Sequence, residues 1–194
     1  MRYTSGVKRK IRLIVAACGV AIISYALTTT RTQHNALAPV QANQPGLYAI
    51  DHFIDGDTIA VKMSGKSESV RLIGVDTPET HKPHTPVQCY GPAAAAFTKN
   101  LIGSGSVRLQ ADPDSTNRDR YNRLLRYVYL PDGRLLEAQL IQNGYGFAYT
   151  QFPFTKSAEF VEYQQAAQQN HRGLWGNCAP FQEQNGRWQT ENAS

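Results

Sequence analysis

The sequence predicts an α+β fold of five strands and about three helices, and three observations carry that expectation. Short apolar or alternating runs at 47–54, 58–63 and 69–75 are separated by Asp-Gly and Ser-Gly turns, the pattern of an antiparallel meander. Two more strand-like runs follow, at 107–111 and 124–130. Three stretches between and after them carry helix start or stop signals. A small barrel packed on helices satisfies this order, and spacing alone leaves other α+β arrangements open.

The chain begins with a basic leader. Five cations precede an uncharged run at 13–27, the n-region and h-region of an exported protein. As a helix those fifteen residues span roughly 22 Å, short of a hydrocarbon core of roughly 30 Å. Residues 1–30 are therefore expected to be a signal peptide or an N-terminal membrane anchor. The protein would be secreted or held on the outer face of the cell membrane, touching the membrane only through that segment. Ser24-Tyr25-Ala26 fits a cleavage site, while Cys18 imitates a lipidation site whose apolar approach is too short. Residues 31–46 are polar, contain Pro39 and Pro45 and lack a hydrophobic period, as a linker does.

A compact domain is expected at 47–178. After the three strands, Gly91-Pro92 opens an alanine-rich helix ending near Ile102, where proline at the first helical position costs no hydrogen bond. A second helix runs over 134–143 and stops at Gly144. A third, capped by Ser157 or Thr155, runs through Gln169 to a stop at His171-Arg172-Gly173. Residues 179–194 read as a flexible tail. Of the three cysteines, Cys18 lies in the leader; Cys89 and Cys178 form an even pair in an exported domain, which points to a disulfide.

Charge removes a tempting argument. The formal charge is +5, as in a basic nucleic-acid binder. Residues 1–50 hold six Lys or Arg and no Asp or Glu, so the remaining 144 residues come to about −1. A broad basic surface is excluded, and attraction to a polyanion must be local. The clear cluster is Arg118, Arg120, Arg123 and Arg126.

Three motifs carry chemistry: Asp55-Gly56-Asp57-Thr58, then Arg71 followed by Asp76-Thr77-Pro78-Glu79, then Asp119-Arg120-Tyr121-Asn122-Arg123. Asp57 and Asp76 are hard oxygen ligands at two strand ends, suited to Ca²⁺. Pro78 forces Thr77 extended, which lets its carbonyl aim at a cation the two aspartates share. Arg71 and Arg123 offer planar paired donors that match phosphate oxygens and stay charged at any useful pH. Taken singly, each motif has a plainer reading: a turn, a strand end, a loop ion pair between Asp119 and Arg123. His81 and His84 lack a third ligand and read as a solvated loop, and residues 112–117 lack the glycine and distal glutamate of an EF-hand and read as a turn.

In this order and spacing the motifs resemble those of the staphylococcal nuclease (thermonuclease) family. The resemblance covers about residues 47–177, including Tyr90-Gly91-Pro92 and Gly173-Leu174-Trp175. It implies a five-stranded OB-type β-barrel packed against about three helices, acting as a monomer. It further implies a calcium-dependent nuclease that cleaves DNA and RNA, preferably single-stranded, with low sequence specificity and 3′-phosphate products. Asp57, Asp76 and the Thr77 carbonyl would hold the Ca²⁺, with Asp55 beside them. Glu79 would orient or deprotonate the attacking water, and Arg71 and Arg123 would clamp the phosphate. Arg120 and Asn122 stand where the family has lysine and glycine; both keep the character of the position, since Asn tolerates a left-handed backbone. Arg120 and Tyr121 then become phosphate contacts and Tyr149 a stacking surface for a base, whereas Tyr145 and Phe147 suit the core. The competing class is a noncatalytic module binding nucleic acid or protein, as the family's barrels become after losing catalytic residues. Such loss leaves gaps at the metal and arginine positions, and here none is missing.

Overall fold

The computed structural model describes residues 46–80 and 85–193. The leader, nearly all of the linker, and His81 and His84 lie outside the described residues. Five strands, β1 (Tyr48–Asp55), β2 (Thr58–Met63), β3 (Lys66–Leu72), β5 (Ser106–Gln110) and β6 (Leu124–Tyr129), close into a barrel in the order β1-β2-β3-β6-β5. The first three form the expected meander. Ser64 and Gly65 both have positive φ (49° and 77°), which matches a two-residue turn to the right-handed twist of β2 and β3. Register shifts at Ile50/His52 and Phe53/Asp55 bend β1 for closure.

The barrel is mixed. β3 pairs with β6 in parallel, from Val70 opposite Leu124 to Leu72 opposite Arg126, and all other barrel pairs are antiparallel. Between these parallel neighbours lies a long crossover containing β4 (Val75–Asp76), α1 (Gly91–Ile102) and β5. The expected third strand therefore ends early. Gly74, at φ 73°, breaks it, and Val75 and Asp76 pair instead with β7 (Phe147–Ala148).

Two more helices, α2 (Leu136–Gln142) and α3 (Ser157–Gln169), and the short turn α4 (Leu174–Asn177) complete the set. Ile59, Val61, Val70, Leu72, Val107, Leu109 and Val128 of the barrel share one core with Leu136, Leu140, Ile141 and Phe160 of the helices. Gly144 and Gly173 let two chain segments touch: Leu174 donates to the Gly144 carbonyl at 2.8 Å, and a Cβ on Gly144 would lie 2.1 Å from the Arg172 oxygen. Glu137 is fully buried, and burial pushes its carboxyl well up while its oxygens accept the Val128 N–H. Among the described residues no helix is long and apolar enough to cross a membrane.

Two expectations need correction. Neither Thr155 nor Ser157 caps α3; Lys156 holds that position without a side-chain hydrogen bond, because Thr155 turns its N–H and hydroxyl to Asp112 instead. The segment expected to be a loose tail is structured over its described residues, 179–193. It forms the hairpin β8 (Phe181–Gln182) and β9 (Trp188–Gln189), seated by the stack of Trp188 on Phe147 and its edge contact with Trp175. Cys89 and Cys178 are joined at the root of this hairpin.

Candidate active site

The β1–β2 turn is fixed before any side chain acts. Thr98 of α1 donates to the Gly56 carbonyl at 2.6 Å, and Leu72 N–H donates to the Asp57 carbonyl at 3.0 Å. Gly56 admits Thr77 so closely that a Cβ there would meet its hydroxyl at 2.8 Å. Thr77 uses that approach to donate its N–H and Oγ1 to Asp57 Oδ2 at 3.0 and 3.2 Å. Asp57 Oδ1 accepts the Thr58 hydroxyl at 2.8 Å.

Arg71 lies opposite Thr58 on β3, which brings its guanidinium under this turn. Its Nη1 donates to the carbonyls of Leu72 and Val75, while Nη2 lies 3.2 Å from Asp57 Oδ2 and 2.9 Å from Asp76 Oδ1. One nitrogen thus ties the two carboxylates to a common point. Arg123 also reaches the start of β2, its Nη1 3.4 Å from the Thr58 hydroxyl. Asp119 orients it: Oδ1 accepts the Arg123 N–H at 2.9 Å, and Oδ2 accepts Nε and Nη2 at 2.7 and 2.6 Å. Asn122 sits at φ 64°, the left-handed conformation that its place in the motif requires.

Glu79 follows β4 and lines the same cleft. Its backbone is held by Gln88, whose Oε1 accepts the Glu79 N–H at 2.8 Å and whose N–H donates to the Glu79 carbonyl at 2.9 Å, while Gly91 admits that carbonyl so closely that a Cβ there would lie 2.7 Å from it. Thr80 donates its hydroxyl to Asp55 Oδ1 at 2.8 Å, joining the Glu79 loop to the first motif. The cleft has a volume of about 1010 Å³ and is walled on its outer side by Tyr121, Tyr149 and Phe152. Tyr121 lies beneath Arg120, 4.7 Å from guanidinium carbon to ring centroid, and Arg120 Nη2 donates to its hydroxyl. The rings of Tyr149 and Phe152 lie 6.0 Å apart, tilted by 55°.

Burial, followed by the Asp57 charge, raises Asp55 to about 6 against the pull of the Thr80 hydroxyl. Burial also pushes Asp76 up, and its ion pairs with Arg71 and Arg187 pull it back. A cation placed between Asp57 and Asp76 would relieve both costs. The donors fit one: two carboxylates close enough to share one Arg71 nitrogen, Thr77 bonded to Asp57 beside them, and oxygen chemistry throughout, as Ca²⁺ or Mg²⁺ prefers. Among the described residues the only set of three metal-type side chains within mutual reach is Cys89, Cys178 and Glu191, and there the sulfurs are bonded to each other.

The structure therefore brings together Asp55, Asp57, Arg71, Asp76, Thr77, Glu79, Arg120, Tyr121, Arg123 and Tyr149 around one cleft. The other two arginines of the cluster are held by partners of their own, Arg118 at the cleft wall and Arg126 outside it. Arg118 is paired with Glu68 at 2.6 Å, and Arg126 is buried against Asn117. Sequence reasoning missed Arg187, whose Nε and Nη2 both lie 2.9 Å from Asp76 Oδ2. No sequence signal marks it, since it lies 111 positions away in a segment without a motif.

A family model described as staphylococcal nuclease homologue matches residues 69–177. The chain is 37% identical over 166 residues to a thermonuclease of Staphylococcus hyicus, covering 85% of this chain and 96% of that protein. It is 38% identical over 163 residues to a thermonuclease of Staphylococcus intermedius, covering 81% and 95%. With the endonuclease YncB of Bacillus subtilis the identity is 40% over 149 residues, covering 75% and 70%.

Proposed function

Because this chain belongs to the staphylococcal nuclease homologue family, we propose that it is a nuclease hydrolysing phosphodiester bonds of DNA and RNA. On this reading it acts with low sequence specificity, depends on calcium and leaves 3′-phosphate ends. The observation that carries the reading is the convergence of Arg71 on Asp57 and of Arg123 on the neighbouring Thr58, with Glu79 in the same cleft. A module retained only for binding has no need of that complete set.

Asp57, Asp76 and the Thr77 carbonyl would hold the cation, which when bound supplies positive charge at the phosphate. Arg71 and Arg123 present N–H donors to the nonbridging oxygens, whose negative charge grows as the bond between water oxygen and phosphorus forms. Glu79 orients that water and accepts its proton. The bond that breaks joins phosphorus to the 5′ oxygen, which leaves with a proton from solvent while the phosphate stays on the 3′ side. Asp119 holds Arg123 in place throughout. Tyr149 and Phe152 form an aromatic wall on which an unpaired base can stack, which favours single strands.

Electrostatics gives the cation a second role. Six carboxylates (Asp55, Asp57, Asp76, Glu79, Asp114, Asp119) line the cleft against five arginines (Arg71, Arg118, Arg120, Arg123, Arg187). The side chains alone lean negative, so attraction to a polyanion depends on the bound divalent charge. The basic leader and a disulfide suited to an oxidising compartment support export, with the compact nuclease domain at 47–178 completed by the hairpin beyond it.

Digestion of labelled single-stranded DNA by the full chain tests this reading. Cleavage is expected with calcium, is expected to stop with chelator, and is expected to yield ends that a 3′-phosphatase can trim. Cleavage that ignores chelator, or 5′-phosphate products, would overturn it.

A further inference from the structure

Arg187 sits beyond the span that the family model matches, yet it makes the closest contacts to Asp76 Oδ2. The hairpin that carries it is firmly seated. Trp188 stacks on Phe147, Thr190 donates to the Cys89 carbonyl at 2.8 Å, and Cys89 N–H donates to the Glu191 carbonyl at 2.7 Å. The Cys89–Cys178 bond ties down the chain just before it. Arg187 itself is braced by its backbone, with its N–H on Asn185 Oδ1 at 2.8 Å and its carbonyl accepting from Glu183.

Resting on the reading that Asp57 and Asp76 bind a divalent cation, we propose that Arg187 competes with that cation and sets its affinity. Arg187 directs both Nε and Nη2 at the single oxygen Oδ2, a one-sided fork that sets a guanidinium charge directly against it. Oδ1 already accepts Arg71, so with Arg187 docked each oxygen of Asp76 faces a guanidinium. A cation binding either oxygen would sit within a few ångströms of the Arg187 guanidinium and would have to displace it or bind against its repulsion. Pre-positioning of Asp76 by the clamp works in the opposite direction but concerns one short side chain, already held by Arg71. Repulsion between a divalent ion and a guanidinium on the same buried carboxylate is the larger effect. Arg187 is thus a positioning residue that acts through Asp76, and it makes occupancy of the site require more calcium.

Calorimetric titration of Ca²⁺ into the full-length protein, without nucleic acid, reads this directly. Arg187→Gln is expected to bind calcium about tenfold tighter or more than the wild type, and Arg187→Lys, which keeps the charge but loses the fork, to fall between. Half-maximal cleavage should shift to lower calcium in the same order. Equal or weaker binding by Arg187→Gln overturns the proposal, because a purely structural or preorganising role predicts that result. Asp57→Asn separates the two levels of argument. If it abolishes calcium binding while Arg187→Gln changes nothing, the competition alone is wrong; if it leaves binding intact, the cation site is wrong and the competition falls with it.

Discussion

Asp119 grips Arg123 at three points, accepting its backbone N–H on one oxygen and its Nε and Nη2 on the other, at 2.9, 2.7 and 2.6 Å. The guanidinium is left with Nη1 directed to the Thr58 hydroxyl. An arginine aimed in advance at a developing charge stabilises a transition state more than one that must first be ordered. Replacing Arg123 by Ala is expected to cost about 3 kcal/mol of barrier stabilisation, the scale for one preorganised donor. Asp119→Asn keeps the arginine but loosens it, and should lower kcat by about tenfold to a hundredfold with little change in KM. Steady-state kinetics on a short single-stranded oligonucleotide would decide; an unchanged kcat in Asp119→Asn would show that the grip is incidental.

Arg71 makes a different prediction, because it is only 11% exposed in its side chain and serves two carboxylates at once. Removing it as Arg71→Ala leaves Asp57 and Asp76 close together without their shared counter-charge. Breaking a buried pair by deleting one partner costs about 3–5 kcal/mol. Calcium would restore part of that loss by binding the folded state, so the destabilisation should be largest with chelator and smaller in millimolar calcium. Urea unfolding under the two conditions measures it, and a loss that ignores calcium would argue against a cation between these aspartates.

Much of this is legible in the sequence itself. β1 and β2 declare themselves through short runs and an Asp-Gly turn, and Arg71, Asp76 and Glu79 through fixed spacing around Pro78. What was hidden is long-range. The parallel pairing of Val70 with Leu124 follows from barrel closure and leaves no local pattern. The capping of α3 was misjudged because Thr155 has a stronger competitor in buried Asp112, more than forty positions away. The hairpin after Ala179 was misread as a tail because its few apolar residues find partners, Phe147 and Trp175, only in the fold.

That hairpin depends on the cross-link at its root. The Cys89–Cys178 bond closes a separation of 89 residues, and a loop of that length is worth about 4–5 kcal/mol in the chain-entropy treatment. Reduction, or the double substitution of both cysteines by serine, should lower the thermal midpoint accordingly. It should also free the segment carrying Arg187. Hydrogen exchange at the Glu191 carbonyl's partner, Cys89 N–H, is expected to speed up more than exchange in the β2–β3 ladder. Equal acceleration everywhere would mean that the bond supports the whole domain and not this hairpin in particular.

The Asp55 carboxyl yields a pH dependence whose sign is fixed by its environment. Burial and the Asp57 charge raise it from an ordinary 3.8 to about 6, so the fold prefers its protonated form. Stability contributed by this group is fully present below about pH 4 and is lost as pH rises through about 6. Asp112 and Asp119 are held low by the hydrogen bonds they accept, and they act in the opposite direction, losing stability as pH falls. Their contribution cancels when wild type is compared with Asp55→Asn, whose amide oxygen can still accept from Gly56 and Thr80. With chelator present, the stability of the wild type relative to Asp55→Asn should therefore decline by about 1–2 kcal/mol between pH 4 and pH 7, after allowance for solvent screening. Calcium should flatten that decline, since a nearby divalent charge favours the ionised carboxyl. Chemical denaturation across this range gives the difference curve, and one that rises with pH would remove Asp55 from the group of carboxylates that the cation relieves.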